Sequence, residues 1–113
     1  MALRVIRLVQ SLPKNLSAEI LGKQLIRSAT SVAAHYYSAC KARSKADSLN
    51  KLGIVEEEAD ETQLCIELIM ESGLIKENQL KTLLIEVKEI TAIMAASRIT
   101  LKGLRKYNPD RVG

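Results

Sequence analysis

Hydrophobic residues recur along most of the chain at intervals of three and four positions, the spacing of a helix with one buried face. Four segments show this period: Ala2 to Leu12, 17–41, 44–72 and 77–106. The third contains the most regular repeat, formed by Leu52, Val55, Ala59, Thr62, Ile66 and Ile69. Short connections between long helices favour antiparallel neighbours. We therefore predict an all-α fold, an up-down antiparallel four-helix bundle with a short first helix. It forms one domain over residues 1–107, with a C-terminal tail at 108–113.

Local signals place the helix ends. Pro13 ends the first helix because proline cannot continue the hydrogen-bonding pattern, and Ser17 is the N-cap that we expect for the second. Ser44 heads a sequence with capping-box spacing at the start of the third helix. Gly73 is a typical C-cap and predicts where that helix stops.

The third and fourth helices also carry apolar residues opposite their predicted buried faces. These are Leu64 and Leu68 on the third helix, and Ile85, Ala92, Ala96 and Ile99 on the fourth. A monomeric bundle normally exposes polar residues there, so the pattern favours a homo-oligomer. The alternative is that a clipped or displaced first helix covers these positions. We expect Leu64, Leu68 and the second-helix residue Tyr37 to contact a partner.

Composition narrows the class of protein. Hydrophobic residues make up 47% of the 113 positions, whereas aromatic residues make up 3%, so the core must be aliphatic. Two prolines and five glycines are too few for a small β-sandwich or barrel with many tight turns. No run of apolar residues is long enough for a membrane span, and two cysteines fit a reducing compartment. We expect a cytoplasmic protein.

Charge is segregated along the chain although the net charge is only +4. Residues 1–51 carry a net +7, residues 52–97 a net −7 and residues 98–113 a net +4. The candidate nucleic-acid-binding residues are Lys23, Arg27, Lys41, Arg43 and Lys45 on the second helix and its hairpin, and Arg98, Lys102, Arg105 and Lys106 on the fourth helix. The hairpin and the end of the fourth helix share one end of an up-down bundle. Such a surface can bind phosphates without reading sequence, and Tyr37 is a candidate for stacking on a base. The alternative is a solvated face with internal ion pairs.

The acidic middle of the chain has two interpretations. The hairpin register places Arg27 near Glu57 and Glu61, which favours structural ion pairs. Paired carboxylates could instead hold metal ions, but bundle metal sites use Glu-x-x-His, and His35 is the only histidine. No phosphate-binding loop, dinucleotide fingerprint, nucleophile elbow or zinc motif is present in the sequence. We therefore expect no enzymatic activity, no cofactor and no metal.

Three sequence blocks, 21–32, 39–44 and 51–61, occur in an order that resembles a known family. They read LGKQLIRSATSV, ACKARS and KLGIVEEEADE. The chain resembles the bacterial four-helix bundle proteins called 23S rRNA intervening-sequence proteins, which include the accessory variability determinant of diversity-generating retroelements. The resemblance extends over about residues 2–105.

This resemblance implies a four-helix bundle that assembles as a homopentameric barrel. For the retroelement branch it also implies a basic surface that binds nucleic acid and a reverse transcriptase. Most other members have no established biochemical activity. We therefore expect a non-enzymatic homo-oligomer that binds RNA or DNA, a nucleic-acid enzyme, or both. The alternative is a structural or protein-interaction scaffold that binds no nucleic acid.

Overall fold

A computed structural model describes the backbone of residues 1–106 and the side chains of residues 1–103. The helices are α1 (Ala2–Gln10), α2 (Leu16–Cys40), α3 (Lys45–Ser72) and α4 (Glu77–Lys106). All four predicted helices are confirmed, with ends that differ by two residues or fewer. The molecule is a rod with extents of 64 × 21 × 17 Å. The predicted tail at 108–113 lies outside the described residues.

The helix ends show which local signals dominate. The Ser44 hydroxyl accepts a hydrogen bond from the Asp47 N–H at 3.1 Å, and Gly73 adopts φ 74°, so both predicted caps of α3 are confirmed. The predicted N-cap of α2 is wrong. Asn15 caps this helix by accepting from the Ala18 N–H at 2.9 Å, which leaves Ser17 already inside the first turn.

Helix α3 lies at the centre of the fold and packs along both α2 and α4, whereas α1 packs on α2. All six residues of the α3 repeat, from Leu52 to Ile69, are buried as predicted. Between α2 and α3, the buried Thr62 hydroxyl lies 2.9 Å from the Ser28 Oγ and 2.8 Å from the Glu58 carbonyl oxygen. Each of these buried hydroxyls therefore has a hydrogen-bond partner.

The core divides into two clusters because α1 is short. Around the start of α4, Val5 and Leu8 of α1 complete a cluster with residues of all three long helices. Its largest fully buried members include Leu25, Ile66, Ile69 and Leu80, each contributing roughly 1.5–3 kcal/mol by burial. Toward the α2–α3 hairpin, the second cluster has buried residues from α2, α3 and α4 only. The bundle thus has four helices in cross-section over part of its length and three over the rest.

Tyr36 illustrates the consequence of this short first helix. Its position on the apolar arc of α2 predicts a core residue, but its side chain is 48% exposed, so that prediction is wrong. Tyr36 lines an apolar groove of about 330 Å³ that begins at Met1 and lies between α2 and α4. Tyr36 lies beyond the part of α2 that α1 covers, whereas the smaller Ala39 on the same arc is buried against α3 and α4.

No helix in the described part of the chain is both long enough and apolar enough to cross a membrane.

Candidate nucleic-acid interface

The antiparallel arrangement gathers basic residues at one end of the rod. Lys41, Arg43 and Lys45 surround the α2–α3 hairpin, and Lys102 lies in the last turns of α4, which runs toward the same end. All four side chains are exposed, and none forms an ion pair with another described residue. We call these four residues the basic end.

Two further predicted basic residues lie beyond the described side chains. Helix α4 continues to Lys106, so Arg105 and Lys106 belong to its last turn. Their side chains lie outside the described residues. The predicted site is therefore described at Lys102 but not at these two positions.

Tyr37 and Lys41 form a small unit one helical turn apart on α2. The Lys41 Nζ lies 4.3 Å from the centroid of the Tyr37 ring, within the range of a cation–π interaction. The Tyr37 side chain is 62% exposed, as its predicted contact role requires. The site therefore combines a positive charge with an accessible aromatic surface.

Arg27 is engaged within the chain. Its guanidinium donates to Glu58 at 3.3 Å and also to Glu61, so it bridges two successive turns of α3. The hydrogen bond that Arg27 donates to Glu61 is the main reason that the pKa of Arg27 is raised, and the charge of Glu58 raises it further. The predicted pairing with Glu61 is confirmed, whereas Glu58 takes the place predicted for Glu57. Arg27 thus joins α2 to α3.

Two more residues of the predicted basic set also have acidic partners. Arg98 on α4 forms an ion pair with Glu56 on α3, and the hydrogen bond with this carboxylate raises the pKa of Arg98. The Lys23 Nζ lies 3.1 Å from Glu19 on the same face of α2. The predicted basic surface therefore separates into cations with internal partners and the basic end.

Three acidic residues of α3 have structural partners on the neighbouring helices. Glu56, Glu58 and Glu61 pair with arginines of the neighbouring helices. Within residues 1–103, no group of three or more His, Cys, Asp or Glu side chains is placed to hold a metal ion. His35 is half-buried, and its Nδ1 lies 2.9 Å from the carbonyl oxygen of Ser31.

Helix α1 covers neither of the outward apolar strips. Leu64 and Leu68 on α3 are 56% and 42% exposed, and Ile85 and Ile99 on α4 are 58% and 67% exposed. This finding overturns the alternative in which a displaced first helix shields them. These residues remain available for contact with another molecule.

A polar groove between α1 and the start of α4 was not predicted. It measures about 480 Å³, and Arg4, Arg7 and Ser11 line one wall. The Arg4 guanidinium lies 3.1 Å from Glu86, while the α-amino group of Met1 lies 2.9 Å from the same carboxylate. The signal in the sequence was the spacing of Arg4, Arg7 and Ser11, which puts them on one side of a helix.

Comparisons with known proteins agree with this fold. The chain is similar to a crystal structure of a protein of unknown function from the S23 ribosomal protein family of Bacteroides thetaiotaomicron VPI-5482. The TM-score is 0.79 at 30% sequence identity, and the match covers 86% of this chain and 90% of the other. A search of curated proteins gives no match. Residues 1–96 match the model of the 23S rRNA-intervening sequence protein family, and the chain therefore belongs to this family.

Proposed function

We propose that this protein is a non-enzymatic, self-associating helical bundle that binds nucleic acid through its basic end. The observation that carries the proposal is the exposure of Lys41, Arg43, Lys45 and Lys102 at one end, without acidic partners among the described residues. Arg27 and Arg98 form ion pairs with carboxylates of α3, whereas the four cations of the basic end have no such partner among the described residues.

The chemistry of such a surface is binding to the phosphate backbone. Contacts between lysine or arginine and phosphate release counterions, which gives affinity that falls as salt rises and carries no sequence information. The exposed ring of Tyr37 adds a stacking surface beside Lys41. This combination fits single-stranded RNA or DNA, whose bases are accessible.

Self-association would multiply this charge. The resemblance noted above implies a pentamer, in which five basic ends would face the same direction around the axis. Several weak phosphate contacts on one assembly bind a single strand more tightly than the same contacts on separate chains. The exposed apolar residues of α3 and α4 support self-association.

Charge reversal tests the site directly. The double variant Arg43→Glu/Lys45→Glu should weaken binding of a fluorescent single-stranded RNA by at least about tenfold at low salt, because two phosphate contacts become repulsive. Lys45 lies in the first turn of α3, where an acidic side chain is favourable, so the fold should persist.

The matched control makes the same change of net charge at the opposite end of the rod. Lys14 and Lys76 are exposed and precede α2 and α4, so Lys14→Glu/Lys76→Glu should bind nearly as the wild type does. Equal losses in both double variants would mean that only net charge matters, and the basic end would then have no special role.

A protein-interaction scaffold without nucleic-acid binding is the second candidate. The exposed apolar residues of α3 and α4, together with the apolar groove at Tyr36, favour it. A reverse transcriptase, which the retroelement branch of the family suggests, is one such partner. An assembly that retains no RNA or DNA at low salt would favour this function over the first.

A further inference from the structure

The outward face of α3 is an apolar strip with an acidic border. Leu64 and Leu68 project from it, and at 100° per residue four acidic side chains flank them. The four are Glu57, Asp60, Glu67 and Glu71. None of them forms an ion pair with a basic residue in the described structure. We call these six residues the acidic strip.

The outward face of α4 is an apolar strip with mixed charge. Ile85 and Ile99 are exposed on it, and at 100° per residue Lys81 and Lys88 lie beside them, with Glu77 and Glu89 at its two borders. Lys88 has no acidic partner among the described side chains, and Lys81 lies 3.8 Å from Glu77, one helical turn earlier. Between the isoleucines, the small residues Ala92 and Ala96 would allow another helix to approach closely. We call these six residues the basic strip.

The two strips also lie at similar heights along the rod. The turn at Gly73 and the ion pair between Glu56 and Arg98 fix the antiparallel register of α3 and α4. In this register, Leu68 lies within about one helical turn of the height of Ile85, and Leu64 within about one turn of Lys88. A rotation about an axis parallel to the helices preserves height, so it can bring one strip against the other.

We propose that the acidic strip of one copy packs against the basic strip of the next copy. This inference rests on the self-association proposed above and identifies its two surfaces. A symmetric contact between two acidic strips would oppose unpaired carboxylates, whereas the unlike pairing lets these carboxylates face Lys81 and Lys88. The unlike pairing places Leu64 and Leu68 against Ile85 and brings carboxylates to lysines. Because the two surfaces differ, the contact is heterologous and can repeat from copy to copy.

Two complementary variants test this pairing. In variant A, Leu64→Lys/Leu68→Lys, the α3 face presents lysines to the lysines of the next copy. In variant B, Ile85→Glu/Ile99→Glu, the α4 face presents glutamates to the acidic strip. All four positions are exposed, so the core is unchanged. Each variant alone should sediment as a 12.5 kDa monomer, because each has lost one of the two surfaces that every contact requires.

Mixing the two variants is the decisive step. Variant A keeps an intact basic strip and variant B an intact acidic strip, so an equimolar mixture should form complexes that contain both in equal amounts. The control Leu16→Lys/Ile20→Lys makes the charge change of variant A at exposed apolar residues of α2, which belongs to neither strip, and should assemble like the wild type. Circular dichroism would verify that every variant remains helical.

The outcomes separate this inference from the proposed function. If variant B alone still assembles, the contact joins like acidic strips, and if variant A alone assembles, it joins like basic strips; either result overturns the unlike pairing. If both variants assemble like the wild type, self-association uses other surfaces and this inference fails alone. A wild-type protein that is monomeric at micromolar concentration would overturn self-association itself.

Discussion

At the scale of single residues, the two cysteines differ sharply in their surroundings. Cys40 is exposed near the end of α2, whereas Cys65 is buried on α3, and both are free thiols. Burial raises the pKa of the Cys65 thiol, and the nearby charge of Glu61 raises it further. Because the thiolate is the nucleophile, Cys65 should be inert in the folded protein.

A thiol-reactivity assay measures this difference. At pH 8, one thiol per chain should react rapidly with Ellman's reagent, and the second should react only after unfolding. In the pH range where an ordinary thiol loses its proton, the unfolded chain releases the Cys65 proton more readily than the folded chain does, because folding raises the pKa of this thiol. Stability should therefore fall as pH rises through that range, while below it both states keep the proton. A Cys40→Ser variant with one rapidly reacting thiol would contradict the assignment.

For the helices, the sequence predicts those features that depend on hydrophobic periodicity and on local capping residues. The α3 repeat from Leu52 to Ile69, the Ser44 cap and the Gly73 turn follow from rules that act within one segment. The exposure of Tyr36 does not follow from such a rule, because it depends on how far α1 extends along α2. Arg27 was expected near Glu57 and Glu61, but 3.6 residues per turn bring Glu58 to the α2 side instead.

The candidate site divides in the same way. Gathering basic residues at one end follows from the helix order alone, so it could be predicted. Arg27 and Arg98 form ion pairs with α3 and are therefore not free to bind a ligand. This pairing could be predicted only in part, because it depends on side-chain register between helices. The groove beside Arg4 depends on the packing of α1 against α4, which no local pattern specifies.

Close packing of α1 on α2 depends on Gly22, and Gly53 provides its matched control. A Cβ at Gly22 would lie 3.0 Å from Val9 Cγ1 and 3.3 Å from Leu12 Cδ1, whereas one at Gly53 would meet no atom within 4 Å. Gly22→Ala should therefore lower the free energy of unfolding by about 1 kcal/mol, because crowding outweighs the gain in helix propensity. Gly53→Ala should raise it by about 0.5–1 kcal/mol. Urea denaturation measures both, and equal stabilisation by the two changes would contradict a close approach at Gly22.

At the scale of the whole molecule, the fold redistributes a segregated charge pattern. Most acidic residues of the segment 52–97 lie on α3, which is at the centre and neutralises Arg27 from α2 and Arg98 from α4. The four residues of the basic end have no acidic partner among the described residues, and acidic residues without basic partners there line the outer face of α3. One surface is thus suited to phosphates and another to a neighbouring copy.

Nucleic-acid binding by the basic end should weaken steeply as the salt concentration rises. Fluorescence anisotropy measures the association constant of a labelled single-stranded RNA with the wild type at several salt concentrations. The logarithm of this constant should fall linearly with the logarithm of the salt concentration. Arg43→Ala/Lys45→Ala should reduce that slope by about 1 for each phosphate contact removed. No binding at the lowest salt, or an unchanged slope in the variant, would contradict nucleic-acid binding by the basic end.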